Sequence, residues 1–240
     1  MTMPAPLIGF DRYIRLEWAA AALKVRAGLA SVDELDAFLS TADLGKEALG
    51  KTRTKLNGLW LAPRAELLDF ADRGAEILKN APGLSAVALT WGMALASYPF
   101  FAKLAEQVGR LTALQDDCSA AEVHRRMNEV YGEREITRRA GQAVLQTQED
   151  WGVIERIEKG RRLLRRPAIL VDDPHLVTWL IEAVLRCLGK PLALGSVQTT
   201  PVLFPFNLEG SLAFLASGSS HIELRTEGPL SQFIVLREGA

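Results

Sequence analysis

The sequence has only two cysteines and three histidines in 240 residues, and these few side chains are widely separated. Cys118 and Cys187 form no C-x-x-C pair and no disulfide framework, which favours a reducing compartment. His124, His175 and His221 show neither H-x-x-x-H nor H-E-x-x-H spacing. We therefore predict no metal site and no metal cofactor.

The chain also has almost no net charge, because 28 basic residues are balanced by 29 acidic ones. No global field draws such a molecule to nucleic acid or anionic lipid, so binding of either kind must come from local patches. Hydrophobic residues make up 48% of the chain and charged residues 24%, which excludes long disorder. We expect the whole chain to fold.

Targeting and catalytic signatures are missing as well. Met1 to Gly9 lack the basic-then-apolar order of a secretory signal, so we expect a cytoplasmic protein. Phosphate-binding loops, dinucleotide-binding glycine motifs and nucleophile elbows do not occur. These absences predict no catalytic residue, no cofactor and no enzymatic activity, while a site assembled in space from distant residues stays open.

One stretch, Ala81 to Ala102, carries no charged residue and is long enough to be tested as a transmembrane span. It contains Pro82 and Pro99 and has many Ala, Gly, Ser and Thr residues, whereas Leu, Ile and Val favour insertion. We expect a buried core helix rather than a span, and no membrane partner.

Apolar residues recur at helical spacing through most of the chain. Phe10 to Leu29 has this pattern and predicts the first helix. Ser31 with Glu34, and Ser119 with Glu122, have the S-x-x-E spacing of a capping box, which predicts two further helix starts.

The C-terminal segments change in character. Asp173-Pro174 predicts the start of an apolar, central helix that ends at Gly189. HIELRTEGPLSQFIVLR then predicts two strands about a turn at Gly228-Pro229. We interpret Asp116-Asp117 and Asp172-Asp173 as helix-capping residues rather than as ligands for Mg²⁺.

A first basic segment, LGKEALGKTRTKLNGLW, follows a short predicted helix and a tight turn. Lys46, Lys51, Arg53 and Lys55 stand there against Glu47 alone. The order resembles a helix-turn-helix unit, and a solvated amphipathic helix is the alternative.

A second basic segment runs from Arg134 to Arg166 and holds nine basic and five acidic residues. Helical spacing places Ile136, Ala140, Val144 and Leu145 on one apolar face. The polar residues fall mostly elsewhere; they are Arg134, Arg138, Arg139, Gln142, Gln146 and Gln148. VIERI and RRLLRRPAILV then predict a hairpin that carries Arg161, Arg162 and Arg165. Helix, turn, polar helix and basic hairpin is the order of a winged helix, and a salt-bridged or protein-docking face is the alternative.

Together these patterns predict a mainly α fold with three parts. Residues 1–118 form a helical domain with helix-turn-helix-like units, residues 119–172 a winged-helix-like unit, and residues 173–240 a small α+β part. Aromatic residues in apolar contexts predict core positions rather than base-stacking platforms; they are Trp60, Trp91, Trp151, Trp179, Phe204 and Phe206.

The order of segments resembles the BrxA family of BREX phage-defence systems. The resemblance is one of organisation over Phe10 to Leu170, carried by LGKEALGKTRTKL, YPFFAKLAEQVGRL and REITRRAGQAVLQTQEDWGVI. It implies a small DNA-binding subunit that acts beside larger methyltransferase and ATPase components. The residues that the resemblance implies near phosphates are Lys51, Arg53, Lys55, Arg134, Arg138, Arg139 and Arg161.

Two functions from different classes follow from the sequence. The first is a non-enzymatic DNA-binding protein that contacts double-stranded DNA through the two basic segments, with other subunits of a defence or DNA-processing complex as partners. The second is a protein-protein adaptor without direct DNA contact, which the near-neutral charge and high apolar content favour.

Overall fold

The computed structural model describes residues 6–81, 83–84, 86–228 and 231–237. In these ranges the fold is mainly helical, as predicted. The helices are α1 (Leu16–Arg26), α2 (Val32–Ser40), α3 (Lys46–Leu56), α4 (Leu68–Asn80), α5 (Ala86–Ser97), α6 (Pro99–Leu111), α7 (Ala120–Tyr131), α8 (Glu135–Asp150), α9 (Pro174–Leu188) and α10 (Leu212–Gly218). The strands are β1 (Asp117–Ser119), β2 (Ile154–Ile157), β3 (Arg162–Arg165), β4 (Ile169–Val171), β5 (Leu192–Ala193), β6 (Phe206–Leu208), β7 (Ile222–Thr226) and β8 (Gln232–Leu236).

Helices α5 and α9 form the centre of the core. Every residue of α5 from Val87 to Ala96 is buried, and α9 is buried along most of its length. The two helices approach closely at Gly92, where a Cβ atom would lie 2.3 Å from the Trp179 ring. Trp179 stacks on Phe70 of α4 with ring centroids 4.2 Å apart, so one indole joins three helices.

The uncharged stretch does not form one continuous helix. Tyr98 has an extended backbone between α5 and α6, and Pro99 occupies the first turn of α6, where its missing N–H is not needed. The burial of α5 confirms the core-helix interpretation, although Pro82 lies outside the described residues. No described helix combines the length and the apolar character needed to cross a bilayer.

The described chain before α1 is not helical, so the prediction of a helix from residue 10 is wrong for residues 10–15. The backbone N–H of Ile14 donates to Thr147 Oγ1 at 3.0 Å, and Trp151 Nε1 donates to the Ile14 carbonyl at 3.0 Å. These bonds to α8 and its end replace helical hydrogen bonds. Phe10 and Ile14 are fully buried, which explains the apolar spacing that resembled a helix.

Two of the predicted helix ends have the expected geometry. The Glu34 N–H donates to Ser31 Oγ at 3.1 Å, and the Ser31 N–H donates to Glu34 Oε2 at 2.6 Å, so this capping box is confirmed. Asp173 accepts the Leu176 N–H at 2.8 Å at the start of α9. Gly189 ends α9 with φ of +62°, a conformation in which glycine avoids the steric penalty of a Cβ atom.

The second predicted helix start is confirmed, because α7 begins directly after Ser119, but its predicted capping box is wrong. Ser119 makes no side-chain cap to α7, because it belongs to β1 and pairs with Arg162 of β3. The Glu122 carboxylate binds the guanidinium groups of Arg125 and Arg126 instead. The capping role predicted for Asp116-Asp117 is wrong as well, since Asp117 lies in β1 and accepts hydrogen bonds from Arg162.

Three small sheets complete the described fold. The first has the order β1-β3-β2 and is antiparallel, the second is a parallel pair of β4 and β6, and the third has the antiparallel order β5-β8-β7. The two C-terminal strands are confirmed as β7 and β8. The turn predicted between them includes Pro229, which lies outside the described residues.

Buried side chains from residues 1–118, 119–172 and 173–240 pack in one contiguous hydrophobic cluster. The aromatic residues predicted for the core are buried, with Trp60 and Trp91 fully so. Trp91 Nε1 donates to the Val202 carbonyl at 2.9 Å, which ties the first range to the third. The three sequence ranges therefore share a core.

Candidate nucleic-acid interface

Helix α8 has one buried and one outward face. Its buried stripe follows positions 137, 140, 141, 144, 145, 147 and 148, the spacing of one side of an α-helix. Arg138, Arg139, Gln142 and Gln146 face outward and are exposed. The predicted polar face is therefore present for these four side chains.

The structure corrects the predicted faces at both ends of α8. Ile136 was expected in the core but is 50% exposed, because Thr137 takes the buried position in the first turn. Gln148 was expected on the polar face but is fully buried, one turn beyond Val144 on the buried stripe. Its amide oxygen and nitrogen have no partner among the described residues.

The strands β2 and β3 form the antiparallel hairpin that the sequence predicted after α8. The second strand was predicted to continue through RRLLRRPAILV, which is wrong beyond Arg165, because Ile169–Val171 form β4 and pair with β6 in another sheet. Its turn is tight, with φ of +50° at Glu158, +58° at Lys159 and +82° at Gly160. Left-handed conformations at two non-glycine residues are strained, so the surrounding pairing must hold them. Lys159 and Arg161 are exposed at this turn.

Other arginines of the hairpin are turned toward the protein. Arg162 Nε donates to Asp117 Oδ2 at 2.7 Å, which links β3 to β1. Arg165 donates to the Phe204 carbonyl, and its guanidinium carbon lies 5.8 Å from the centroid of that ring. Both residues were predicted to contact DNA, and both have intramolecular partners.

Two adjoining grooves run beside α8. The larger, of about 880 Å³, lies between α7 and α8 and includes Arg134, Arg138 and Gln142 in its lining. The smaller, of about 390 Å³, lies between α7, α8 and the hairpin, and includes Gln142 and Arg161. Ala121, His124 and Gln142 line both grooves, so helix and hairpin present one continuous concave surface.

The two grooves differ in charge. The larger has Arg125, Arg134 and Arg138 opposite Glu129, Glu133 and Glu135 in its lining. Arg138 binds Glu135, with Nη2 2.6 Å from Oε1. The smaller groove has Arg156 and Arg161 in its lining and no carboxylate. Arg156 Nη1 lies 3.6 Å from Glu149 Oε2, so the unpaired positive charge of the smaller groove is that of Arg161.

Five cations of the second basic segment form no ion pair within the part of the chain that the structure describes. They are Arg134, Arg139, Lys159, Arg161 and Arg165. Arg134 donates to the Tyr131 carbonyl at 2.9 Å and Arg165 to the Phe204 carbonyl, whereas Arg139, Lys159 and Arg161 extend from the surface. Their charge is not neutralised by a neighbouring carboxylate, whereas that of Arg138 is.

His124 lies where the two grooves meet, and no sequence pattern pointed to this position. Gly141 of α8 faces it so closely that a Cβ atom would lie 2.9 Å from His124 Nδ1. Burial, and then the positive charges of Arg138 and Arg156, hold the pKa of this imidazole below its ordinary value. His124 is therefore disposed to be neutral at neutral pH.

The first basic segment forms α3, and its cations bind carboxylates of the same chain. Lys51 pairs with Glu47, Arg53 with Asp36, and Lys55 with Asp11. The lining of neither groove includes Lys51, Arg53 or Lys55.

Neither cysteine is activated as a thiolate. Burial raises the pKa of Cys118 and that of Cys187 to about 11, so both thiols are protonated at neutral pH. In the described ranges, no three His, Cys, Asp or Glu side chains are grouped to hold a metal ion.

The outward face of α8, the hairpin turn and the two grooves thus form the candidate interface. Comparisons with models of protein families, with curated proteins and with solved structures gave no match to this chain.

Proposed function

We propose that the chain is a non-enzymatic protein that binds double-stranded DNA through α8 and the β2–β3 hairpin. The observation that carries the proposal is that Gln142 of α8 and Arg161 of the hairpin line one groove. A helix and a hairpin that share a surface can contact one duplex at the same time. The unit is interpreted as a winged helix in which α7 and α8 are the helix pair.

The order of elements supports this interpretation. Helix α6 is followed by β1, α7, α8, β2 and β3, and β1 pairs with β3 so that the hairpin is fixed beside α8. In helix-turn-helix proteins the second helix enters the major groove, which is wide enough for an α-helix. Helix α8 has that place in the order.

The side chains of the interface divide by chemistry. Arg139, Lys159 and Arg161 supply positive charge for phosphates, which position a protein on DNA. Gln142 and Gln146 supply amides that pair with base edges, adenine above all. The ion pairs of Lys51, Arg53 and Lys55 favour the alternative of an amphipathic surface helix for α3.

The first test is the salt dependence of binding to a random duplex of about thirty base pairs. Contacts from Arg134, Arg139, Lys159 and Arg161 predict a slope of roughly −3 to −4 when log K is plotted against log salt. Fluorescence anisotropy with purified protein measures this slope.

Substitutions locate the contact surface. Arg139→Ala combined with Arg161→Ala should weaken binding and reduce the slope by about 2, because two phosphate contacts are lost. Lys51→Ala is the matched control, since it removes an exposed cation outside the grooves and should leave both quantities unchanged. Equal losses in both variants would reject the placement on α8, and absence of binding at low salt would reject DNA binding itself.

We propose further that the protein acts in the cytoplasm as a subunit of a phage-defence or DNA-processing complex. The basis is the resemblance in segment order to the BrxA family. A small number of unpaired cations favours binding strengthened by other subunits over tight binding alone. Deletion of the gene from its operon should abolish resistance to phage if the role is defence, and full resistance in the deletion strain would reject it.

A second candidate function is that of a protein-protein adaptor. Leu29, Val32 and Phe38 lie within ten positions of one another around α2, and each is at least 36% exposed. Apolar surface of this kind favours a protein partner. Affinity purification after nuclease treatment tests the idea, because an adaptor retains a stoichiometric partner that Val32→Asp should release.

A further inference from the structure

A cavity of about 720 Å³ lies apart from the proposed DNA surface, between α4, α9, α10 and the segment before β7. Its volume is within the range of roughly 300–1,000 Å³ that is typical of sites for small organic ligands. Asn80, Trp179, Phe214, Ser219 and His221 are among the residues that line it. The proposed function gives it no role.

Charged groups at one side of the cavity neutralise one another. Arg73 donates from Nη1 and Nη2 to the two carboxylate oxygens of Glu182, at 2.7 and 2.8 Å. Arg186 Nε donates to Glu182 Oε1 at 2.8 Å, and Arg73 Nε donates to Asp69 Oδ2 at 2.8 Å. Two guanidinium groups therefore face two carboxylates, and this side provides no unpaired charge for a phosphate.

An exposed aromatic ring lines another side. Phe214 is 76% exposed although it belongs to the helix α10, whose Ala216 is fully buried. An exposed phenyl ring in a concave site is stabilised when a flat apolar molecule covers it. The cavity thus offers a stacking surface.

Polar atoms that line the same cavity include both donors and acceptors. Ser219 Oγ accepts the N–H groups of His221 and Ile222, at 3.2 and 3.3 Å, and its own proton is available to a ligand. The Asn80 amide can donate and accept at once. These groups match the edge of a heterocyclic ring that carries an amino group as donor and a carbonyl oxygen or imine nitrogen as acceptor.

We propose that this cavity binds a nucleobase, presented as a free nucleoside. Phe214 stacks on the base, and Asn80 and Ser219 bind its polar edge. The paired charges of Arg73 and Glu182, and the carboxylate of Asp173, which also lines the cavity and forms no ion pair among the described residues, favour an uncharged ring over a phosphate-bearing group. The site is independent of the proposed DNA surface, because the two share no lining residue.

Isothermal titration calorimetry with adenosine, guanosine, cytidine and uridine tests the proposal on the full chain. We expect saturable binding of at least one nucleoside, weakened about fivefold or more by Phe214→Ala, since stacking on an aromatic ring dominates such contacts. Leu114→Ala is the matched control, because Leu114 is 93% exposed and lies outside the cavity. Both positions are exposed, so both variants should fold.

Two further probes identify the source of the base and the role of charge. The 5′-monophosphate should bind with no more than a few times the affinity of the nucleoside from which it is derived. A dinucleotide of the same base tests whether a nucleic-acid strand can enter the cavity. Binding of the dinucleotide assigns the site to a nucleic-acid end, and its exclusion assigns the site to the free nucleoside; both support base recognition. Absence of saturation by all four nucleosides, insensitivity to Phe214→Ala, or a monophosphate bound more than about tenfold tighter would overturn the proposal.

Discussion

At the scale of single residues, Glu182 is the one charged side chain that is buried in the described part of the chain. Its carboxylate is 2% exposed and is held by Arg73 and Arg186. A buried carboxylate loses its hydration, and only several well-oriented donors offset that loss. For stability, the donors that hold Glu182 matter more than the total number of ion pairs, because most other pairs in the described fold lie at the surface.

Glu182→Gln should lower the free energy of unfolding by about 3–5 kcal/mol, since two guanidinium groups would lose their buried partner. Urea denaturation followed by circular dichroism measures the change. Glu47→Gln is the control, because it removes the exposed pair with Lys51 and should leave the midpoint unchanged. A loss as small as that of the control would mean that water replaces the carboxylate.

His124 gives the fold a dependence on pH. Its lowered pKa means that the folded state binds a proton less readily than the unfolded state, whose imidazole titrates near 6.5. Stability is therefore present above about pH 6.5 and is lost as pH falls toward the folded-state pKa. Protonation would also place a positive charge beside Arg138 and Arg156.

His124→Gln should make the urea midpoint less dependent on pH between about pH 7 and pH 5, because the titrating group is absent. The midpoint of the parent chain should decrease over the same interval. Parallel curves for the two proteins would assign the pH dependence to other groups.

At the scale of helices, glycine positions differ in whether a Cβ atom would have room. A Cβ atom at Gly92 of α5 would lie 2.3 Å from Trp179 and 3.1 Å from Leu180, in the middle of the core. A Cβ atom at Gly50 of α3 would have no neighbour within 4 Å. The same substitution should therefore have opposite effects at the two sites.

Gly92→Ala should destabilise the protein by about 1–3 kcal/mol or more, because α5 and α9 must move apart. Gly50→Ala should stabilise it by about 0.5–1 kcal/mol, because alanine loses less backbone entropy in a helix. Thermal unfolding of the two variants measures both signs. A neutral result at Gly92 would show that Trp179 can change its rotamer.

The sequence predicted helices better than strands, for a physical reason. Helix α9 has an aspartate cap, a proline in its first turn and a terminal glycine, all of which act within a few residues. Strands β1, β4 and β6 have three residues each, too few for alternation, and their positions depend on pairing with distant strands. Local signals cannot specify such pairing.

The candidate interface was predictable in part. The outward side chains of α8 follow from helical spacing, and the hairpin follows from its glycine turn and apolar strands. Which arginines are neutralised does not follow, because Asp117 binds Arg162 across 45 positions of sequence. The burial of Gln148 and the position of His124 likewise depend on how α8 packs.

At the scale of the whole molecule, segments that are distant in sequence pack together in the core. Trp179 Nε1 donates to the Phe70 carbonyl at 2.9 Å, over a separation of 109 positions, and Trp179 also packs on Gly92. Removal of α9 would leave α4 and α5 without their central partner. The helical first range therefore depends on the third.

A chain truncated after residue 172 should lack a cooperative unfolding transition, because the apolar face of α5 would meet water. Near-UV circular dichroism and urea titration of the truncated chain measure this loss. The full chain should unfold in one step by tryptophan fluorescence and by helical signal alike. A cooperative transition in the truncated chain would instead support an autonomous domain over residues 1–172.

The contact of residues 10–15 with α8 has a consequence for biosynthesis. Ile14 leaves the ribosome long before Thr147 and Trp151, which lie 133 and 137 positions later and are its hydrogen-bond partners. Phe10 and Ile14 therefore remain unburied until at least 137 further residues have been translated. Such a chain exposes apolar surface for seconds at ordinary elongation rates, which makes it a client for chaperones that bind early peptides.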